Sequence, residues 1–138
     1  MSLSTLLKRN FLWIVYAIFL VLAIIYRSDE QILFSQGPYA VGKPIIWLIY
    51  IAFLGYSLYI STKESFVGTL KKIYPFRWAR QIGMDLYVSM TLSLALIYLN
   101  EKSWMVVLVW FLPVLIYANL AVLPYLALNY DSVLANFI

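Results

Sequence analysis

With no histidine and no cysteine in 138 residues, this chain lacks the side chains that most often serve as general base, haem ligand, thiol nucleophile or structural zinc ligand. The chemistry left to it centres on Asp85, near the start of one long apolar segment, and Asn119, within the next. On a helix stepping ~100° per residue, Ser89 and Ser93 fall about 40° and 80° from Asp85, and Asn100 about 60°. Such a polar stripe could carry protons, coordinate a cation or hold a polar headgroup, because ionisable groups at hydrocarbon depth turn to protein or water. It also suits packing alone: Ser-x-x-x-Ser admits a close neighbour, and an acid in a first helical turn is favoured by the dipole and by nearby Arg77 and Arg80.

Carboxylates that work as acid and base lie roughly 5–10 Å apart. Asp85 and Glu101 would be about 24 Å apart along one helix, so they form no catalytic pair. Asp29, Glu30 and Glu101 are expected at one face, where three gathered acids would attract a divalent cation and three scattered ones are solvated charge. No Gly-rich phosphate loop, strained-turn serine or metal-ligand spacing occurs. The expectation is a non-enzyme with no metal and no cofactor.

The elements that position these residues follow from composition. The chain is 64% hydrophobic, 18% aromatic and 12% charged, against about 45–50% apolar and about 25% charged in soluble domains. It reads as a single all-α transmembrane domain over 1–138, an integral membrane four-helix bundle with helices over about 10–26, 44–61, 82–99 and 104–128. Lys8-Arg9 followed by Phe11 to Tyr26 resembles a signal peptide, but no small-x-small cleavage site follows, which predicts an uncleaved first helix. Pro44 suits the first turn of the second helix, and Gly55 and Ser57 would let a neighbour approach. Pro113 and Pro124 deprive the carbonyls of Val109 and Leu120 of their helical donors, and a bend near Pro113 is expected in one continuous fourth helix.

Between the second and third helices, Lys63, Lys71, Lys72, Arg77 and Arg80 alternate with Phe66, Leu70, Ile73, Tyr74, Phe76 and Trp78. This amphipathic basic segment should lie along the membrane surface, helical until Pro75. Lys71, Lys72, Arg77, Trp78 and Arg80 are the candidate contacts for anionic headgroups, beside their role as an orientation signal. Seven basic residues on that side and the N-terminal side, against Arg27, Lys43 and Lys102 on the other, place both termini in the cytoplasm if there are four crossings. The formal charge of +4 is accounted for by this bias, with no nucleic-acid partner.

Asp85-Leu86-Tyr87, then Tyr98 and Glu101-Lys102-Ser103-Trp104, then Trp110, Ala118 and Tyr125 resemble, in type and spacing, an uncharacterised family of short bacterial and plant integral membrane proteins. The resemblance covers the C-terminal half. The family has a small Gly-Ser patch where this chain has Ala118-Asn119, and lacks the basic loop and its preceding helix. The resemblance singles out Asp85, Tyr87, Glu101, Trp104 and Tyr125 and implies no activity.

These features point to a non-catalytic accessory or assembly subunit of a larger inner-membrane complex, bacterial by this reading, packed against other helices and anionic lipids. A small oligomeric proton- or ion-coupled transporter or channel using Asp85 is the main alternative. A lipid-, quinone- or pigment-binding protein is the third, for which the aromatic residues would supply a walled groove.

Overall fold

A computed structural model describes residues 3–27 and 30–138, and the regular structure among them is helical. In chain order the elements are α1 (Leu3–Arg9), α2 (Phe11–Ile25), α3 (Gly42–Lys63), α4 (Phe66–Ile73), α5 (Arg77–Glu101), α6 (Trp104–Tyr117), α7 (Asn119–Leu128) and α8 (Tyr130–Leu134). Two of them, α3 and α5, are long and apolar enough to cross a membrane. A third span results if α1 and α2, bent by 71° to each other, are counted as one.

The last apolar segment is not one helix over 104–128 with a bend at Pro113. Pro113 lies inside α6, and the chain reverses at Ala118, whose φ of 52° and ψ of −120° match the first central position of a type II′ turn, a glycine-favouring conformation. A continuous helix would separate Trp110 from Tyr125 by about 22 Å. Their ring centroids are instead 5.0 Å apart, so α6 and α7 form a hairpin. The reversal is driven by α7 itself, which is apolar on all sides and therefore goes to the interior. Leu120, Ala121, Val122, Pro124, Tyr125, Ala127 and Leu128 are all buried.

The hairpin carries the following residues back to the far end of the bundle. Ser132 Oγ and Asn136 Nδ2 donate to Asn100 Oδ1 at 2.9 and 3.0 Å, beside the last turn of α5. At the hairpin turn, the Tyr117 hydroxyl donates to the Leu12 carbonyl at 2.5 Å. The start of α2 thus lies level with the hairpin turn and α8 beside the end of α5, and two helices, or three spans with the bent pair, are long enough to cross where four crossings were expected.

Packing radiates from α7. Met90 and Ile97 of α5, Val107 and Val114 of α6, Ala121, Val122 and Tyr125 of α7, and Val133 of α8 form one core cluster. Tyr16 of α2, Tyr50 of α3 and Leu120 of α7 form the second. The Leu120 carbonyl, which Pro124 cannot serve, accepts the Tyr16 hydroxyl at 2.7 Å. Having given its proton there, Tyr16 accepts from Tyr50, with the two oxygens 2.6 Å apart. A buried carbonyl without a donor is costly, and two tyrosines on two other helices remove that cost.

Helix lengths then set the shape. At ~1.5 Å per residue α3 and α5 extend about 33 and 37 Å, whereas α6 and α7 reach only about 21 and 15 Å. The hairpin therefore turns part-way along its longer neighbours. The halves of α3 and α5 beyond the turn are linked by α4, whose Phe66, Thr69, Leu70 and Ile73 recur at helical spacing on one face and line the space left below Tyr117 and Ala118.

Two outcomes test this fold. In sealed vesicles, Lys71→Cys and Ala135→Cys should react with an impermeant thiol reagent from opposite sides, there being no native thiol; labelling of both from one side would restore the single crossing. Tyr16→Phe should lower stability by about 1–3 kcal/mol. In a Pro124→Ala background, where the backbone N–H at 124 serves Leu120, most of that loss should disappear from chemical denaturation.

Candidate functional site

Two places in the bundle gather groups that do more than fill a core. The first is the space below the hairpin, a cavity of about 940 Å³. Its walls come from four directions: Leu12 and Trp13 of α2, Phe53 to Ser61 of α3, Arg80 to Met90 of α5, and Leu115 to Leu120 around the hairpin turn, with α4 across the remaining side. Most of the lining is aliphatic or aromatic. Glu64, Ser65, Thr69 and Arg80 are polar and sit towards α4. Gly83 opens the α5 wall, since a Cβ added there would meet nothing within 4 Å. Ligand pockets are mostly apolar, with a few placed polar groups, and span about 300–1,000 Å³; this one lies at the upper end.

The second place is a polar cluster at the opposite end, where the connection between α2 and α3 meets α8. Glu30 accepts the backbone N–H of Asp131 at 2.7 Å and of Ser132 at 3.4 Å, which caps the start of α8 as a carboxylate should. Ser35 Oγ donates to Asp131 Oδ1, and Ser35 in turn accepts the N–H of Gly37 at 3.2 Å. The Tyr130 hydroxyl donates to the Tyr39 carbonyl at 2.5 Å. It lies so close to Gly42 that a Cβ there would fall 2.7 Å from the ring carbon Cζ. Lys43, 0% exposed, points its ammonium at Glu30 Oε1, 3.6 Å away, with no hydrogen-bond acceptor nearer among the described residues.

The same end contains a third strand of this network. Asn100 Nδ2 donates to the Tyr125 hydroxyl at 2.8 Å, and that hydroxyl donates to Glu101 Oε1 at 2.9 Å. Of the positions marked by the family resemblance, Glu101 and Tyr125 are therefore bonded to each other, Trp110 packs on Tyr125, and Tyr98 stacks on Trp104 at 4.5 Å between centroids. Tyr87 lies elsewhere, in the cavity wall.

The polar stripe on α5 does not become an internal path. Met90 and Ile97 take the buried face. Asp85 and Ser89 are exposed, and Ser93 is half-buried with its hydroxyl bonded to the Ser89 carbonyl at 3.0 Å. Asp85 points about 160° around the helix from Gly83 and Tyr87, hence away from the cavity. Asn119 is exposed in the hairpin turn. Among the candidate headgroup contacts, Lys72 and Arg80 reach the openings below the hairpin, while Lys71, Arg77 and Trp78 are exposed outside both. Asp29 lies outside the described residues. Among those residues no three potential ligands gather for a metal, and Glu30 and Glu101 serve separate partners.

Lys43, Asp131 and the Tyr16–Tyr50 pair were not anticipated as functional groups. The signal for Tyr16 was present in the carbonyl orphaned by Pro124, which required a donor; Lys43, beside Pro44, carried no mark beyond charge.

The chain matches no protein-family model, no curated protein and no solved structure.

Removing one member of a buried ion pair strands the other, whereas replacing the whole pair by apolar residues of similar shape is often neutral. Lys43→Met removes an ammonium that makes no hydrogen bond and leaves Glu30 the backbone N–H groups of Asp131 and Ser132, so the melting temperature should stay close to wild type. Glu30→Gln, which keeps shape but removes the charge facing Lys43 and α8, should cost about 3 kcal/mol. Equal destabilisation by both would show that the ammonium contributes more than the carboxylate needs.

Proposed function

We propose that this is a non-catalytic integral membrane protein that holds one amphiphile in the cavity beneath the α6–α7 hairpin. The observation that carries the reading is the mismatch in helix depth. Two full-length helices and an amphipathic crosspiece flank an open apolar cleft that the protein's own side chains do not fill. In a bilayer, apolar volume at that depth is filled by hydrocarbon, and the polar residues near α4 suit the other part of such a molecule.

Orientation supports the same reading. Lys8, Arg9, Lys63, Lys71, Lys72, Arg77 and Arg80 all belong to the end that contains α4 and the start of α2, so the excess of basic residues assigns that end to the cytoplasm. The cavity then opens towards the cytoplasmic leaflet, and α8 with its acidic cluster lies on the other side. A transporter centred on Asp85 draws no support from its position, turned away from the cavity and from the core.

An accessory role in a larger complex is the second reading, favoured by α3. Along this whole crossing only Lys43 and Tyr50 are buried, and a Cβ added at Gly55 would meet nothing within 4 Å, so much of the helix is left for lipid or another protein to cover.

Gly83→Trp decides between them, because the open space at Gly83 accepts the ring without displacing backbone. Purified in mild detergent and examined by native mass spectrometry, the parent should retain a lipid and the variant should retain at least about tenfold less at an unchanged melting temperature. Equal lipid in parent and variant would sink the cavity reading. Stoichiometric co-purification of a larger complex, with no retained lipid, would move the conclusion to the accessory subunit.

A further inference from the structure

The cavity does not end at its apolar wall. A second groove, of about 470 Å³, adjoins it and shares Glu64, Ser65, Thr69 and Ile73 with it. Lys63 from the last turn of α3 and Lys72 from α4 complete this groove. Arg80 of α5 lines the apolar side of the junction, its guanidinium 5.7 Å from the Tyr74 ring centroid. Three cations from three helices thus line the two adjoining spaces, Lys63 with its ammonium also 5.6 Å from the Tyr59 ring centroid. The one acid among them, Glu64, is engaged by the Thr69 hydroxyl at 2.9 Å, and Ser65 Oγ caps α4 by accepting the N–H of Gly68 at 3.2 Å.

This distribution has a chemical meaning for the occupant. A zwitterionic phospholipid would bring its phosphate together with an ammonium, adding a cation to two lysines and an arginine, whereas an anionic one brings the phosphate without it. A tetrahedral phosphate offers several acceptor oxygens to cations arriving from different directions, and charge-assisted bonds of this kind are the stronger ones. The cytoplasmic leaflet, onto which the groove opens in the orientation above, is the one enriched in anionic lipid. General attraction to that surface does not require convergence, and the remaining basic residues show the difference: Lys71 and Arg77 line neither space.

We propose that the cavity binds an anionic phospholipid, its phosphate held in the groove between Lys63 and Lys72 with Arg80 at the junction and its alkyl chain extending under the hairpin. This rests on the amphiphile reading above and adds the class of headgroup to it.

The test is a charge-matched comparison. The full chain is purified in mild detergent containing equal amounts of phosphatidylglycerol and phosphatidylcholine, and bound lipid is counted by native mass spectrometry. Phosphatidylglycerol should be retained at least about tenfold over phosphatidylcholine. The preference should vanish in Lys63→Gln/Lys72→Gln and persist in Lys71→Gln/Arg77→Gln, which removes the same charge from outside the groove. Equal loss in the two double variants would reduce the effect to surface attraction and overturn the proposal. Equal retention of both lipids, still abolished by Gly83→Trp, would also overturn it while leaving the amphiphile reading in place. Retention of neither lipid by the parent would remove both.

Discussion

Leu120 presents a carbonyl that its own helix cannot use, and the bundle is built around the answer to it. Pro124 has no N–H to offer, and in an apolar interior an unserved carbonyl is expensive. Tyr16 supplies the donor from α2, and Tyr50 supplies the donor that Tyr16 then needs, from α3. One missing hydrogen thereby ties three helices to a single point close to the hairpin turn. The hydroxyls could not reach that carbonyl if α7 continued away from α6, so the reversal at Ala118 and the buried chain of hydroxyls require each other.

A hairpin pinned at that depth divides the molecule into unlike halves. Above the turn α7 is surrounded and packing is dense, with Ala121 and Ala127 wholly enclosed. That end closes with a network of Glu30, Lys43, Asp131, Asn100 and Glu101, in which nearly every polar group has a defined partner. Below the turn, α3 and α5 separate around space, and the polar residues there are Lys63, Lys72 and Arg80 beside Glu64, Ser65 and Thr69. Order at one end and vacancy at the other have one origin, the short reach of α6 and α7 compared with the crossings they pack against.

How much of this could be read from the residues depends on the range over which each signal acts. Apolar runs and their flanking charges are local, and they marked 44–61 and 82–99 as crossings, which lie within the helices Gly42–Lys63 and Arg77–Glu101. The interleaving of Lys71 and Lys72 with Phe66, Leu70 and Ile73, stopped by Pro75, was equally local and marked α4. The hairpin left no such trace, because α6 and α7 are apolar on both sides of Ala118 and a continuous run of that kind reads as one span. Asn119 was legible as a polar group in an apolar run, but its exposure depends on a turn that local pattern did not reveal. The orphaned Leu120 carbonyl was visible too, whereas its partner stands 104 residues away in sequence. Asp85 is a case in the other direction: a conspicuous acid whose helix buries a different face.

Those long separations also govern when the molecule can become itself. Glu30 meets Asp131 across 101 residues, and Tyr16 meets Leu120 across 104. At a synthesis rate of roughly 5–20 residues per second, α2 waits for roughly 5–20 s before the hairpin that binds it has been made. During that interval the Tyr16 hydroxyl has no Leu120 carbonyl to serve, and Tyr50 is its one partner in the pair. The contacts that tie α2 to α7 and the α2–α3 connection to α8 thus form last, with the arrival of the chain's final short helices.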